Sequence, residues 1–194
     1  IWAARKLERH GGGEVHAFEP APLTFAMLGE NLRENHLRSI IPHRIACSDR
    51  TGTVDFFLGE HHHISSLVAS WAKGHGAGGD RVSAEAVRLD DFFENRRPPD
   101  LIKVDIEGGG VFALPGMQGT VNRHRPLLWI ESHTPEEDAA ISNLLVASRY
   151  GAYQVAEHRV VRRIDLDHRH PDGIRGTLFA YPAERVGEFS RYFD

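Results

Sequence analysis

"DLIKVDI", residues 100–106, decides the fold. Its apolar residues run almost without a break, as in a strand buried on both faces of a parallel sheet. Glycines at 108–110 then end it sharply. Such a strand needs neighbours, and the chain offers "EVHAF" at 14–18, "IIPHRIAC" at 40–47 and "RPLLWIESH" at 125–133. Shorter strands are expected at "TVDFFL" (53–58) and at "VRLDDFF" (87–93), which runs on into a helical turn.

Helical patterns lie between the strands. Residues 1–10 read as the tail of a helix ended by the glycines at 11–13. Pro22 suits a first turn, and Phe25, Leu28 and Leu32 follow at helical spacing. Thr134 reads as a cap, Pro135 as a first-turn proline and Glu137 as the partner that closes a capping box. Ile141, Leu144 and Leu145 give that helix its apolar face, and Gly151 ends it. Strands alternating with helices predict an α/β fold with a mostly parallel sheet. "AYQVAEH" (152–158) and "GTLFAYP" (176–182) bracket a polar, basic connection and read as an antiparallel pair at one edge. No internal repeat is present, so one domain over 1–194 is expected.

Bulk properties narrow the function classes. The net charge of −4 argues against a nucleic-acid binder that works by bulk electrostatics. No run reaches the length of a transmembrane helix, and "IWAARKLERH" becomes charged too early for a signal peptide. The single cysteine, Cys47, excludes an internal disulfide and a CxxC zinc site and fits a reducing, cytoplasmic compartment. Residues 59–81, rich in Gly and His, read as a long surface loop. Its "HHH" at 61–63 offers a metal at most two converging side chains, because neighbours on an extended segment alternate sides, and no nearby Cys or H-E-x-x-H completes a site, so it reads as exposed polar loop.

Ligands of open α/β sheets sit beyond the carboxyl ends of the strands. Four such ends are polar: "FEP" (18–20), "ACSD" (46–49), "DIEG" (105–108) and "ESH" (131–133). Glu19 offers two carboxylate oxygens suited to a ribose diol, or is a solvated acid in a turn. "DIEGGG" lacks both phosphate-loop patterns. Asp105 and Glu107 are two apart, so on an extended strand both point to one side. They can raise one another's pKa to make a base, or bind a metal; otherwise Asp105 caps the next helix and Glu107 is solvated. Lys103 shares their parity and reads as an ion-pair partner or a catalytic lysine. His133 is placed to act as a base near Asp105, or to cap and pack. Cys47 reads as a small apolar wall residue.

The order of these segments is more specific than any one of them. "VHAFEPAPLTFAMLGENLRENHL", "IACSDRTGTVDFFL", "VRLDDFF", "DLIKVDIEGGGVFALPGM" and "RPLLWIESH" together resemble the FkbM-type methyltransferases, over about residues 1–150. The resemblance implies a Rossmann-like, class I methyltransferase sheet, S-adenosylmethionine as cofactor, and O-methylation of a small-molecule or carbohydrate acceptor. It implies that Glu19 binds the ribose, that Phe18 and Pro20 shape the adenosine pocket, and that Ala46 and Cys47 lie near the adenine. Asp105 and Glu107 match the family's strand-end acids, beside the methionine moiety and the acceptor, and "SSL" at 65–67 matches a feature of unknown role. Asp105, Glu107 and His133 are the catalytic candidates. No metal ligand is assigned.

Two departures stand out. The family places an acid where this chain has Gly110, and Pro115 follows where only a first turn or a break accepts it. The family's first strand and its "DVGANIG"-like loop would precede Ile1, so the chain is expected to be an N-terminally truncated piece. A degenerate methyltransferase-like binding domain is the alternative. A nicotinamide-dependent oxidoreductase ranks third, since no Tyr-x-x-x-Lys is present.

Overall fold

In a computed structural model of the chain, the described residues are 1–59, 65–68, 80–156, 159–164, 166 and 176–193. They form two compact units: Ile1–Cys47 with Gly52–Ala86, and Ser48–Thr51 with Val87–Asp194.

The first unit opens with helix α1 (Trp2–Arg9). It stops where Gly11 and Gly12 turn the chain at φ 104° and 95°, a region closed to most side chains. The Gly12 N–H returns to the Leu7 carbonyl at 2.8 Å. Strand β1 (Val15–Phe18), helix α2 (Pro22–Glu34) and strand β2 (Ile40–His43) follow as a parallel βαβ unit, with Val15 opposite Ile40 and Phe18 opposite His43. Pro22 lies in the first turn, where its missing N–H has no partner to lose. Ala4, Leu32, Leu37 and Ile40 are buried together, with Val15, Ala17 and Leu28 packed against them. One side of β1 therefore holds the helices.

"IIPHRIAC" is two strands rather than one. After β2, Ala46–Cys47 form β3, which belongs to a three-stranded sheet in the order β3-β5-β4, with β4 (Gly52–Phe57) and β5 (Arg81–Val87) antiparallel. Pro42, which has no ladder donor, stands just before the break. Within the segment read as a surface loop, Ser66 is buried and bridges Phe57 by two backbone hydrogen bonds of 2.9 and 3.0 Å, so "SSL" holds the chain to β4. His61–His63 lie outside the described residues.

The second unit carries a five-stranded sheet in the order β6 (Leu101–Val104), β7 (Leu127–Glu131), β10 (Thr177–Pro182), β8 (Tyr150–Ala156), β9 (Arg159–Arg163). Only β6 and β7 run parallel; β7–β10, β10–β8 and β8–β9 are antiparallel. The expected antiparallel C-terminal pair is there, and part of the basic connection is itself strand β9. Among the described residues the sheets are mixed, not mostly parallel. The β6 strand is also not buried on both faces. Ile102 and Val104 are buried while Leu101 and Lys103 are exposed, so one face of β6 meets the core and the other is open.

Short helices α3 (Leu89–Phe92) and α4 (Gly110–Ala113), a 3-10 turn (Pro115–Met117), and helices α5 (Gln118–His124), α6 (Pro135–Ala147) and α7 (Val186–Phe193) complete this unit. Pro115 opens the 3-10 turn, a place where proline is tolerated, and separates α4 from α5. At Gly116 a Cβ would run into the Ser48 carbonyl oxygen. Leu128, Ile130, Ile141, Leu145, Leu178 and Tyr181 are nearly inaccessible and make the core. No helix among the described residues is long and apolar enough to cross a membrane.

Candidate active site

Strands β6 and β7 are parallel neighbours, with Val104 opposite Ile130, so their carboxyl ends emerge at the same edge of the sheet. Asp105 leaves β6 there; Glu131 and His133 leave β7. The chain after Asp105 is not extended. Glu107 has φ 49° and Gly108 φ 84°, so the same-side parity expected of Asp105 and Glu107 does not apply. A left-handed turn brings the second acid round instead, and a non-glycine residue holds that conformation only with support from its surroundings.

The acids and the histidine do come together. His133 Nε2 lies 3.6 Å from Asp105 Oδ1, 3.8 Å from Glu107 Oε1 and 3.8 Å from Glu131 Oε1. Lys103 Nζ meets the other oxygen of Asp105, Oδ2, at 2.6 Å, which settles that lysine as an ion-pair partner. Behind the imidazole, Glu137 Oε2 is 3.4 Å from Nδ1.

Glu137 is only 1% exposed. Thr134 caps α6 as expected, its hydroxyl accepting from the Glu137 N–H at 3.1 Å. The reciprocal half of the capping box is replaced. Glu137 Oε2 accepts from the His133 N–H at 2.8 Å, and Oε1 from the Gly110 N–H at 2.9 Å. The carboxylate thus ties the start of α4 to the end of β7. It also explains Gly110: a Cβ there would lie 2.7 Å from Glu137 Oε1. A buried carboxylate arriving from α6 fills the space where a side chain at 110 would begin.

Electrostatics follow this geometry. Burial opposes ionisation of Glu137, but hydrogen bonds from the His133 ring, the His133 N–H and the Gly110 N–H outweigh it and hold its pKa below the usual value. The hydrogen bond to Glu137 raises the His133 pKa; burial works against it, and the charges of Glu107, Glu137 and Glu131 add to the rise. The cluster can therefore hold a proton on an imidazole surrounded by carboxylates.

The expected cofactor contacts lie on the other unit. The Glu19 N–H extends the β1–β2 ladder to the His43 carbonyl at 3.0 Å, and Glu19 Oε1 accepts from the Ala21 N–H at 2.8 Å. Burial raises the Glu19 pKa, and that one backbone hydrogen bond only partly offsets it. The Phe18 ring stacks on His43, 5.0 Å between centroids. Pro20 is half-buried, Ala46 is buried, and burial pushes the Cys47 thiol up to about 12, which keeps it protonated and unreactive.

Two residues of the cluster escaped the sequence reading. Glu131 sits two before His133 on the end of β7, a same-side spacing that "ESH" displays. Glu137 stands four after His133, but the cap signature claimed it. A separate concavity in the second unit, lined by Arg88, Asp90, Thr120 and Arg123, holds none of these residues; Asp90 there caps α5 through the Gly119 and Thr120 N–H groups.

The model of the FkbM methyltransferase domain matches residues 2–166. The chain belongs to the FkbM methyltransferase domain family. The FkbM fold is also found in a solved structure, the methyltransferase FkbM from Methylobacillus flagellatus KT, at 20% identity and a TM-score of 0.53. The match covers 88% of this chain and 37% of that one, so the chain spans well under half of that FkbM protein's length. No curated protein matches the chain significantly.

Proposed function

We propose that this chain is part of an S-adenosylmethionine-dependent O-methyltransferase acting on a hydroxyl of a small molecule or sugar. The observation that carries the reading is the meeting of Asp105, Glu107 and His133 at one strand-end edge, in a chain of this family. The sheet would be the Rossmann-like one of class I methyltransferases, completed by a strand and a Gly-rich loop beyond those described. The cytoplasm is the proposed compartment.

The donor-side residues fit the cofactor chemically. Glu19 would hold the ribose hydroxyls, Phe18 and Pro20 would shape the adenosine pocket, and Ala46 with the protonated Cys47 would line the adenine. The bound sulfonium supplies a methyl group already activated for transfer. The chain's own task is to orient the acceptor oxygen and take its proton. His133 accepts that proton. Glu137 steadies the imidazolium from behind, and Asp105, Glu107 and Glu131 stabilise its charge from the strand ends.

Calorimetry with S-adenosylhomocysteine tests this, on the chain and on a version preceded by a D-x-G-x-x-x-G segment. Binding that Glu19→Ala abolishes is the expected result. Failure of both proteins to bind, or binding that ignores Glu19→Ala, removes the assignment. A second reading, a degenerate binding domain without activity, is favoured by Gly110 and by the engagement of Glu19 Oε1 with Ala21. It predicts no cofactor binding and no methyl transfer in either protein.

A further inference from the structure

We propose that Asp105, Glu131 and His133 bind a divalent first-row metal ion. The proposal deepens the reading above and rests on it for its role in the reaction, but the binding itself does not. One ligand atom from each of the three side chains lies within 4.8 Å of the others. Two atoms each bonded to an ion at about 2.1–2.2 Å sit roughly 3.0 to 4.4 Å apart, depending on the angle at the metal. The 3.6 Å from Nε2 to Asp105 and the 3.8 Å to Glu131 fall inside that window. Both exceed the 2.7–3.2 Å of a direct hydrogen bond, so the groups are spaced to admit an ion between them.

The surroundings agree with the donor set. Lys103 pairs with Asp105 Oδ2 and leaves Oδ1 on the His133 side. Glu137 lies behind Nδ1, fixed by two backbone N–H groups, so the ring is oriented by a buried carboxylate in the manner of carboxylate–histidine–metal triads. That support comes from α6, an element separate from the strands that carry the ligands. Asp105 and Glu131 are partly open to solvent, so coordination positions remain for water or an acceptor oxygen. One imidazole with two carboxylates suits Mn2+ and its first-row neighbours better than Ca2+, which takes oxygen alone.

In the proposed reaction the ion would bind the acceptor hydroxyl and lower its pKa. With Nε2 held by the metal, His133 would be a ligand in place of the base assigned above, and the hydroxyl proton would pass instead to Glu107, the strand-end acid outside the ligand set.

Mn2+ titration followed by electron paramagnetic resonance is the test. One bound Mn2+ per chain is expected, weakened tenfold or more by Glu131→Gln and by Asp105→Asn, and about tenfold by Glu137→Gln through loss of ring orientation. Asp55→Asn, in the other unit, should bind as the parent does. Circular dichroism melting verifies that each variant folds, and the parent titration is decisive without them. Absence of Mn2+ binding, or binding indifferent to both Glu131→Gln and Asp105→Asn, overturns the proposal. Mn2+ bound with no methyl transfer keeps the site and removes the methyltransferase reading. Transfer undiminished after chelation, with no Mn2+ bound, does the reverse.

Discussion

Glu19 and Glu137 are two partly or fully buried glutamates with opposite electrostatics. Both are desolvated. Glu19 receives one backbone N–H, from Ala21, and its pKa is raised. Glu137 receives two backbone N–H groups and faces a histidine, and its pKa is lowered. The number of donors, not the depth of burial, decides the sign. The difference also separates a local feature from a convergent one. Glu19 is bonded two residues along its own chain, whereas Glu137 joins its own helix and the nearby His133 to Gly110, twenty-seven residues away.

Removing Glu137 should therefore break more than removing Glu19. Glu137→Ala strips the buried Gly110 N–H and the partly buried His133 N–H of their acceptor and leaves a void beside His133, and should cost about 3–5 kcal/mol in urea unfolding. A loss under 1 kcal/mol would show that the carboxylate ties nothing together. Gly110→Ala comes next, at about 1–3 kcal/mol, because the new methyl meets a carboxylate that cannot swing away without losing its hydrogen bonds. Gly29→Ala, mid-helix in α2 with nothing within 4 Å of the added Cβ, should instead stabilise by about 0.5–1 kcal/mol.

Dependence on pH sharpens the contrast. The Glu137 contribution is present above its unfolded pKa of 4.5 and is lost as pH falls through the depressed folded value. His133 behaves oppositely. Its contribution is complete below 6.5 and disappears as pH rises through the raised folded value. Urea midpoints across this range should fall at both ends, and Glu137→Gln should flatten both limbs. Raised in the fold, Glu19 favours stability below 4.5 and ceases to do so as pH rises through its folded value. The smallest effect is thus expected of Glu19→Gln, neutral to slightly stabilising at pH 7, within about 0.5 kcal/mol. A large loss there would mean that Glu19 is structural in the way Glu137 is.

What the sequence displayed was whatever is written within a few neighbouring residues. The apolar runs of β6 and β7, the glycine stop after α1, the Thr134 cap and the strand-end positions of Asp105, Glu107 and His133 are all local patterns, and the structure contains them. What stayed hidden depends on contacts between distant residues. Glu137 satisfies the signature of a capping box, yet its carboxylate goes to Gly110, twenty-seven residues away. The left-handed turn at Glu107 is a backbone choice that no side-chain pattern announces. The exposure of Leu101 follows from which face of β6 is covered, and a continuous apolar run does not encode that. Strand β9 carries so many arginines that its composition reads as a connection.

Lys103 has a consequence outside the chemistry of the cluster. Without it, Leu101 to Val104 would be four apolar residues on the outermost strand of the described sheet, a template for pairing with the same strand of another molecule. A charge on the exposed side of that strand opposes such stacking. Until a completing strand covers that edge, the lysine that pairs with Asp105 thereby also works against aggregation, and replacing it with an apolar residue would affect the colloidal behaviour of the chain as well as the candidate site.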